Sequence, residues 1–245
     1  MSYRIQKRWI SYPAILLTLL VLSTARAEGP DPRAAERGEM VKEQIQSRGI
    51  KDTAVLKAME EVPRHLFVPP EHRAEAYADK ALPIGENQTI SQPYIVAFMT
   101  QALRLGDKKD KNVLEIGTGS GYQAAVLGRL SLHVATIEIV PQLAKRAKIL
   151  LAALSVANVE AKTGDGYVGW PEKAPFDAIM VTASAGEIPQ PLIDQLAPGG
   201  RLVMPVGGKS DQSLVLLTKT EKGITRETLI PVLFVPMTGR AKEGK

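Results

Sequence analysis

Apolar residues fall along this chain in two alternating patterns. Short apolar, strand-like runs occur at Asn112–Ile116, His133–Ile137, Asn158–Thr163, Phe176–Thr182 and Arg201–Val206. Between them, apolar residues recur at helical spacing in Tyr122–Leu130, Pro141–Leu154 and Ile188–Leu196. Buried strands that alternate with helical crossovers predict an α/β fold, a doubly wound, mostly parallel sheet with helices on both faces.

The regions that flank this alternation have other patterns. Apolar residues at helical spacing predict helices over Glu39–Arg48, Asp52–Glu61 and Gln92–Leu105. Asp52 is the expected N-cap of the second of these helices, and residues 31–38 are expected to be a linker or a frayed helix start. Five prolines between Pro63 and Pro93 predict an irregular segment. Two later strand candidates, Ser213–Thr218 and Leu229–Val235, predict an antiparallel addition at the sheet edge.

The first 27 residues have the composition of a secretory signal peptide. Basic residues come first, an apolar run from Ala14 to Leu22 follows, and Ala25-Arg26-Ala27 forms a cleavage pattern before Glu28. We therefore predict export to the periplasm or beyond, without stable membrane association after cleavage. The alternatives are an uncleaved anchor, or translation from Met40 and a cytoplasmic location.

Charge and composition make some classes of binding partner and metal site less favoured. The net charge is +5, but four basic residues lie in the leader, and 27 basic against 26 acidic residues remain without them. A nearly neutral mature chain with 5% aromatic residues does not favour a nucleic-acid partner. The absence of cysteine excludes a cysteine nucleophile and thiolate metal ligands, and the three histidines are too scattered to predict a metal site.

A glycine-rich turn carries the strongest chemical signal. Val113–Ile116 is a buried strand, Gly117-Thr118-Gly119-Ser120-Gly121 follows it, and a helix begins at Tyr122. Glycines at such a turn allow the backbone to approach a ligand closely. Glu138 ends the next strand, 21 residues past Gly117, where a carboxylate can accept hydrogen bonds from ribose hydroxyls. Tyr122 stands where a dinucleotide fingerprint requires a third glycine, which makes a nicotinamide enzyme the least favoured interpretation.

Two further strand ends add to this picture. Asp165, between Gly164 and Gly166, follows the third strand of the alternating region and is placed to accept from an adenine amino group, although Asp-Gly turns are common. The fourth strand of that region ends in Ala183-Ser184-Ala185 and lacks the Asn/Asp-Pro-Pro-aromatic sequence of methyltransferases that act on base amines.

Several segments together resemble the protein-L-isoaspartate O-methyltransferase family. The resemblance covers roughly Met40 to Thr238, and its most specific parts are Val62-Pro63-Arg64-His65 and Thr89-Ile90-Ser91-Gln92-Pro93. The other matching segments are the glycine turn, Gly164–Gly166, Pro198–Gly200 and Phe234–Thr238.

This resemblance implies a Rossmann-like methyltransferase fold that uses S-adenosylmethionine. It implies an N-terminal helical cap with the substrate-binding segment at residues 28–105, and a cofactor-binding domain at residues 106–245. The implied substrates are isoaspartyl residues of damaged proteins and peptides, with D-aspartyl residues as a further possibility. The pattern leaves the oligomeric state undetermined.

The resemblance also implies a role for individual residues. Ser91 would lie beside the substrate carboxylate, and Thr89 and Ile90 would close over the cofactor. The methionine portion of the cofactor would be held by Glu115, Gly117, Thr118, Gly119 and Gly121. Glu138 would bind the ribose, Asp165 with Gly166 the adenine, and Thr238 would lie close to the cofactor.

This chemistry needs few special groups, because a carboxylate is already ionised at neutral pH and needs no general base. Ser91 can orient that carboxylate, and it can alternatively cap the helix that contains Pro93. Two other functions remain open at this stage: a methyltransferase of a small molecule, and a non-catalytic exported binding module of the same fold.

Overall fold

A computed structural model describes Met1 and residues 31–107 and 110–242 of the chain. The predicted signal peptide, residues 1–27, lies outside the described residues apart from Met1. Residues from Pro32 onward form one unit. None of the helices in the described ranges is long and apolar enough to cross a membrane.

The N-terminal cap is helical, and it begins earlier than the pattern predicts. Helix α1 (Ala34–Glu39) runs without a break into a π-helical turn (Met40–Ile45) and a 3₁₀ turn (Gln46–Arg48), so the expected linker at residues 31–38 is largely helix. Helix α2 (Thr53–Glu61) follows. Its N-cap is Asp52, as predicted, whose carboxylate accepts hydrogen bonds from the amides of Ala54 and Val55 at 2.9 and 3.2 Å.

The proline-rich segment contains a β-hairpin that the sequence pattern missed. Strands β1 (Leu82–Gly85) and β2 (Gln88–Ile90) pair antiparallel, and Glu86 and Asn87 make the turn with φ of 53° and 55°. Two residues with positive φ match the twist of a two-residue hairpin. Helix α3 (Pro93–Ala102) starts immediately after the hairpin.

The main sheet has seven strands in the order β5-β4-β3-β6-β7-β8-β9. Its five parallel strands are β3 (Asn112–Ile116), β4 (His133–Glu138), β5 (Val159–Thr163), β6 (Phe176–Val181) and β7 (Leu196–Gly207). Strand β8 (Gln212–Thr220) pairs antiparallel with β7, and β9 (Gly223–Val232) pairs antiparallel with β8. The predicted α/β fold, with its antiparallel edge, is confirmed.

Helices cover both faces of this sheet, because its central strands β3, β4 and β6 are apolar on both sides. In β3, Val113 belongs to a core shared with the N-terminal cap and with helices α4 (Tyr122–Leu130) and α5 (Pro141–Ala153). Leu114 and Ile116 belong to the core of the opposite face, which is covered by helix α6 (Gln190–Asp194) and short 3₁₀ turns.

The C-terminal boundaries differ most from the prediction. Strand β7 begins at Leu196 instead of Arg201, and α6 ends at Asp194, so the Pro198–Gly200 turn lies within the strand as an irregularity against β6. Strand β9 begins at Gly223, where the predicted strand began at Leu229. The first six residues of β9 are exposed, so they carry no apolar alternation that would reveal them.

Strand β6 supplies a direct test of the core. Phe176 has no exposed side-chain area, and its replacement with Ala should lower the free energy of unfolding by about 3–5 kcal/mol, because a cavity remains in a close-packed interior. Ile149→Ala is the control, since that side chain is 61% exposed and its loss should cost less than about 0.5 kcal/mol. Urea denaturation measures both, and similar losses in the two variants would contradict this description of the core.

Candidate active site

The sheet reverses its strand order between β3 and β6, and the candidate site lies at this point. The chain leaves β3 toward β4 on one side, whereas β6 pairs with β3 on the other. In open α/β sheets such a reversal leaves a crevice at the carboxyl ends of the strands, where ligands bind. The glycine turn follows β3 at this crevice, and Thr182 follows β6.

The first residue of the turn, Gly117, has to be glycine because the Thr182 side chain lies very close to it. Gly117 has a φ of 93°, and a Cβ atom there would lie 2.3 Å from Thr182 Oγ1. The Thr182 hydroxyl donates to the carbonyl oxygen of Gly117 at 2.7 Å. The absence of a side chain at residue 117 therefore allows the ends of β3 and β6 to be joined by a hydrogen bond.

Glu138 stabilises the same turn at Gly119. Its carboxylate accepts hydrogen bonds from the amide of Gly119 at 2.8 Å and from the amide of Val140 at 2.9 Å, and the residue is 5% exposed. Each carboxylate oxygen can accept more than one hydrogen bond. Glu138 can therefore hold the turn and still accept from ligand hydroxyls.

Tyr122, which interrupts the dinucleotide pattern, joins the turn to the N-terminal cap. Its ring is buried against Phe67, with centroids 5.5 Å apart, and the Arg64 guanidinium lies 4.9 Å from its centroid. Arg64 is itself buried and donates from Nε to the carbonyl oxygen of Ala76 at 2.8 Å. The Val62–Pro69 motif thus packs against the first residue of helix α4.

Three adjoining cavities make up the candidate cleft, and Thr89 and Thr182 line all of them. The strand-end cavity, of about 110 Å³, lies between the glycine turn and the C-terminal segment. Its lining includes Ile116, Gly117, Gly119, Glu138, Ile139, Gly166, Met237 and Thr238. The inner cavity lies between the glycine turn and helix α3, and its lining includes Ile90, Ser91, Met99, Thr118, Ser120 and Gln123.

The third, outer cavity has a volume of about 300 Å³, and no residue of the glycine turn lines it. One wall contains Asp79, Ser91, Gln92 and Ile95, and the other is the segment 231–235. Ser91 lines both the outer and the inner cavity, so it stands where the two meet. Among the described residues α3 has no side-chain cap, and its N-cap position is Gln92, so the alternative role of Ser91 as a helix cap is wrong.

The structure places nine of the twelve predicted site residues on the cleft. These are Thr89, Ile90, Ser91, Gly117, Thr118, Gly119, Glu138, Gly166 and Thr238. Glu115, Gly121 and Asp165 do not line these cavities. Gly121 has a φ of 88° and a structural reason to be glycine, since a Cβ there would meet Ala147 at 3.3 Å.

Glu115 reaches the cleft only through two hydroxyl groups. The Thr136 hydroxyl donates to Glu115 Oε2 at 2.5 Å, and the hydroxyls of Thr136 and Thr118 are 2.6 Å apart. When Glu115 is ionised, Thr136 gives its single proton to Glu115, so Thr118 donates to Thr136 and keeps its lone pairs for an acceptor role. Thr118 lines the inner cavity, which gives that cavity an acceptor that suits a cationic group.

The other oxygen of Glu115 is a buried group without a hydrogen-bond partner among the described residues. Burial raises the pKa of this carboxyl to about 8; the hydrogen bond from Thr136 lowers it and the charge of Glu138 raises it further. No described residue forms an ion pair with Glu115. A buried acid of this kind is typical of a site that receives a charge from a ligand.

Sequence reasoning missed the cleft residues Thr182, Ala183, Gln88 and Met237. What marks Thr182 as a site residue is its position directly after a strand at the reversal of strand order. The order of the strands in the sheet is needed to see this. Within the described residues, no group of three or more His, Asp or Glu side chains could hold a metal ion.

The cleft and fold have clear relatives. Residues 35–242 match the sequence model of the protein-L-isoaspartate(D-aspartate) O-methyltransferase family. A protein-L-isoaspartate O-methyltransferase of Gloeobacter violaceus is 56% identical over 200 residues, covering 81% of this chain and 97% of the relative. One of Opitutus terrae is 55% identical over 226 residues, covering 92% of this chain and 96% of the relative.

Solved structures give the same result. One, of a protein-L-isoaspartate O-methyltransferase, has a TM-score of 0.75 at 31% identity and covers 84% of this chain and 67% of its own. A second, a Plasmodium falciparum beta-aspartate methyltransferase in complex with S-adenosyl-L-homocysteine, has a TM-score of 0.72 at 26% identity. That alignment covers 82% of this chain and 98% of the Plasmodium chain.

The buried carboxyl of Glu115 generates a pH-dependent prediction. Its pKa is about 8 in the folded state and 4.5 ordinarily, so between these values the folded state holds a proton that the unfolded state releases. Stability therefore falls as the pH rises through this window. The Glu115→Gln variant lacks the carboxyl that causes this loss of stability. The free energy of unfolding of the variant minus that of the parent chain should therefore rise by on the order of 2–4 kcal/mol between pH 4.5 and 8, and stay constant at higher pH.

Urea denaturation at several pH values measures this difference. The other ionisable groups are the same in the parent chain and the variant, so their effects cancel from the difference. The control is Glu187→Gln, at an exposed glutamate, for which the difference should stay flat. A difference for Glu115→Gln that does not change with pH would contradict the buried, proton-bearing state.

Proposed function

The chain belongs to the protein-L-isoaspartate(D-aspartate) O-methyltransferase family, and from this premise we propose that its cleft transfers a methyl group from S-adenosylmethionine to isoaspartyl residues. The acceptor is the free carboxylate of such residues in damaged proteins, and its esterification initiates repair. The observation that carries this proposal is the position of Ser91, which lines both the inner cavity beside the glycine turn and the larger outer cavity.

The residues present fit the cofactor. Glu138 has the remaining acceptor capacity for ribose hydroxyls, and Ile116, Ile139 and Met237 give the strand-end cavity the apolar lining that an adenine ring needs. Thr118 would accept from the ammonium group of the methionine portion, and that cation would supply the opposite charge that Glu115 lacks. Bound there, the cofactor supplies a methyl group on a positively charged sulfur.

The chain's own contribution to the reaction is orientation. The acceptor carboxylate is ionised at neutral pH, so no side chain has to remove a proton from it. The Ser91 hydroxyl can donate a hydrogen bond to one carboxylate oxygen and turn the other toward the inner cavity. Holding two reactants in line in this way can supply on the order of 7–11 kcal/mol of the barrier.

The outer cavity is suited to a polypeptide. It is open to solvent between the cap and the end of β9, and the exposed Leu233, at 74%, extends its rim. With a volume of about 300 Å³ it is larger than the strand-end and inner cavities, which leaves room for residues of a polypeptide beside the acceptor carboxylate. We therefore favour isoaspartyl proteins and peptides as substrates.

We further propose that residues 1–27 direct export and that the mature enzyme begins at Glu28. The basic start, the short apolar run and the Ala25-Arg26-Ala27 sequence support this proposal. The mature chain would then act in the periplasm or outside the cell, on proteins that age there.

Paired peptides that differ only in an isoaspartyl or aspartyl linkage test the reaction. With methyl-labelled S-adenosylmethionine, we expect base-labile label on the isoaspartyl peptide alone. Ser91→Ala should lower kcat/KM about tenfold, because one hydrogen bond to a charged group is lost, and leave the dissociation constant of S-adenosylhomocysteine unchanged. Ser210→Ala, in an exposed loop, is the matched control. Label on both peptides or on neither would refute the proposed reaction.

Mass analysis of the N-terminus from the native cell tests export. We expect a mature chain that begins at Glu28, recovered with the periplasmic or extracellular fraction. An intact leader on cytoplasmic protein would show that residues 1–27 do not act as a signal peptide, and it would leave the enzymatic proposal intact.

A further inference from the structure

Strand β5 forms one edge of the seven-stranded sheet, with β4 as its neighbour. The amide of Val134 donates to the carbonyl oxygen of Asn158 at 2.9 Å. The amide of Gly164 donates to the carbonyl oxygen of Glu138, also at 2.9 Å. The hydrogen-bonding groups of successive residues in a strand point to opposite sides, so the even-numbered residues of β5 bond to β4. The odd-numbered residues direct their amide and carbonyl groups away from the sheet, and these are Val159, Ala161 and Thr163.

An open groove of about 510 Å³ lies along this edge, between β5 and the end of helix α5. Its apolar lining includes Leu151, Val156, Val159 and Ala161. Val156 and Val159 are only half-buried, so part of their apolar surface faces solvent in a single chain. We call this space the edge groove.

The opposite face of β5 carries one charge of each sign. Glu160 and Lys162 are two residues apart, so their side chains lie on the same face of the strand. Glu160 Oε2 accepts from Lys173 Nζ at 2.6 Å, and the Glu160 side chain is still 62% exposed. Lys162 Nζ lies 4.8 Å from the centroid of the Trp170 ring. Both charges therefore lie beside the outer edge of the sheet, where a second strand would meet them.

A second copy of β5 matches this edge when the two strands run antiparallel with Ala161 opposite Ala161. Val159 then lies opposite Thr163, and these outward residues form the hydrogen-bonded pairs of an antiparallel ladder. Glu160 lies opposite Lys162 in the pairs without hydrogen bonds, where side chains are closer together. Opposite charges in directly facing positions stabilise a sheet. One register therefore satisfies the backbone groups and the charges of both copies.

The two-fold axis of this pairing passes between the facing Ala161 residues, perpendicular to the sheet. It places the two edge grooves side by side on one face of the joined sheet. Val156 and Val159 would lose exposed apolar surface there, which favours association. A two-fold contact uses the same surface of both copies, so it closes after two chains and does not propagate.

From these features we propose that the chain forms a two-fold dimer in which the β5 strands of two copies pair antiparallel about Ala161. The seven strands of each copy then belong to one continuous sheet. The charges select the partner, because a segment of uniform charge would place a like charge opposite Glu160 or Lys162. The edge therefore favours a second copy of this chain over other extended polypeptides.

Charge reversal tests the register. Glu160→Lys places two positive charges opposite each other in both facing pairs, and Lys162→Glu places two negative charges there. Each should raise the dissociation constant of the dimer about tenfold, since like charges in directly facing positions are destabilising. An equal mixture of the two single variants should restore the affinity, and so should the double variant that carries both substitutions. Glu227→Lys, the same change at an exposed residue of the opposite edge strand β9, is the matched control.

A proline tests the backbone pairing without a change of charge. Ala161→Pro removes an amide that points away from β4, so the bonds between β4 and β5 are kept and proline is tolerated at such an edge position. The dimer loses the two hydrogen bonds that the facing Ala161 residues would exchange. Ala161→Pro should therefore also raise the dissociation constant of the dimer about tenfold.

Sedimentation equilibrium of the purified protein, from about 1 µM to about 1 mM, measures these dissociation constants. Circular dichroism verifies that each variant is folded. Weaker dimers in both single reversals, with recovery in the mixture and in the double variant, support the proposal. A parent chain that stays monomeric over the whole range overturns it. A dimer that the reversals leave unchanged, that Glu227→Lys weakens, or that neither the mixture nor the double variant recovers also overturns it, because another surface or another cause would then be responsible.

Discussion

The close approach of Gly117 to Thr182 is the constraint on which the site depends. The carboxyl ends of β3 and β6 are linked there by the Thr182 hydroxyl, and a single Cβ atom at residue 117 would push them apart. Because Thr182 lines all three cavities, this link also fixes where the cleft lies. Glu138 then holds the rest of the turn through the Gly119 amide, so two hydrogen bonds and one missing side chain shape the floor of the cleft.

The parts of the site that sequence reasoning could predict are those carried by a single continuous segment. The glycine turn and Glu138 were recognisable because strand, turn and helix occur in order along the chain, and β3 and β4 are neighbours in the sheet. Thr182 and the cavity-lining residues 235–238 could not be found in this way. Their placement depends on which strand pairs with β3 on its other side, and on contacts between residues 75 positions apart, such as Asp165 and Arg240.

The fold shows the same division. The central strands β3, β4 and β6, which are buried on both faces, were predicted with boundaries within one residue, because a continuous apolar run marks such a strand from end to end. The β1–β2 hairpin was missed because Pro83 lies within it and its turn is formed by Glu86 and Asn87 and not by glycine. The predicted start of strand β9 was wrong because most of the strand faces solvent. Its exposed residues lack the apolar alternation that would indicate a strand.

The exposed edge strand β9 also affects whether the protein aggregates with other polypeptide chains. An open sheet edge presents unpaired amide and carbonyl groups, which is a template for aggregation with any extended polypeptide. Strand β9 carries Arg226, Glu227 and Pro231, and charged residues and proline are the means by which proteins protect such an edge. An enzyme that acts on damaged proteins is therefore protected against extending its own sheet into that of a substrate.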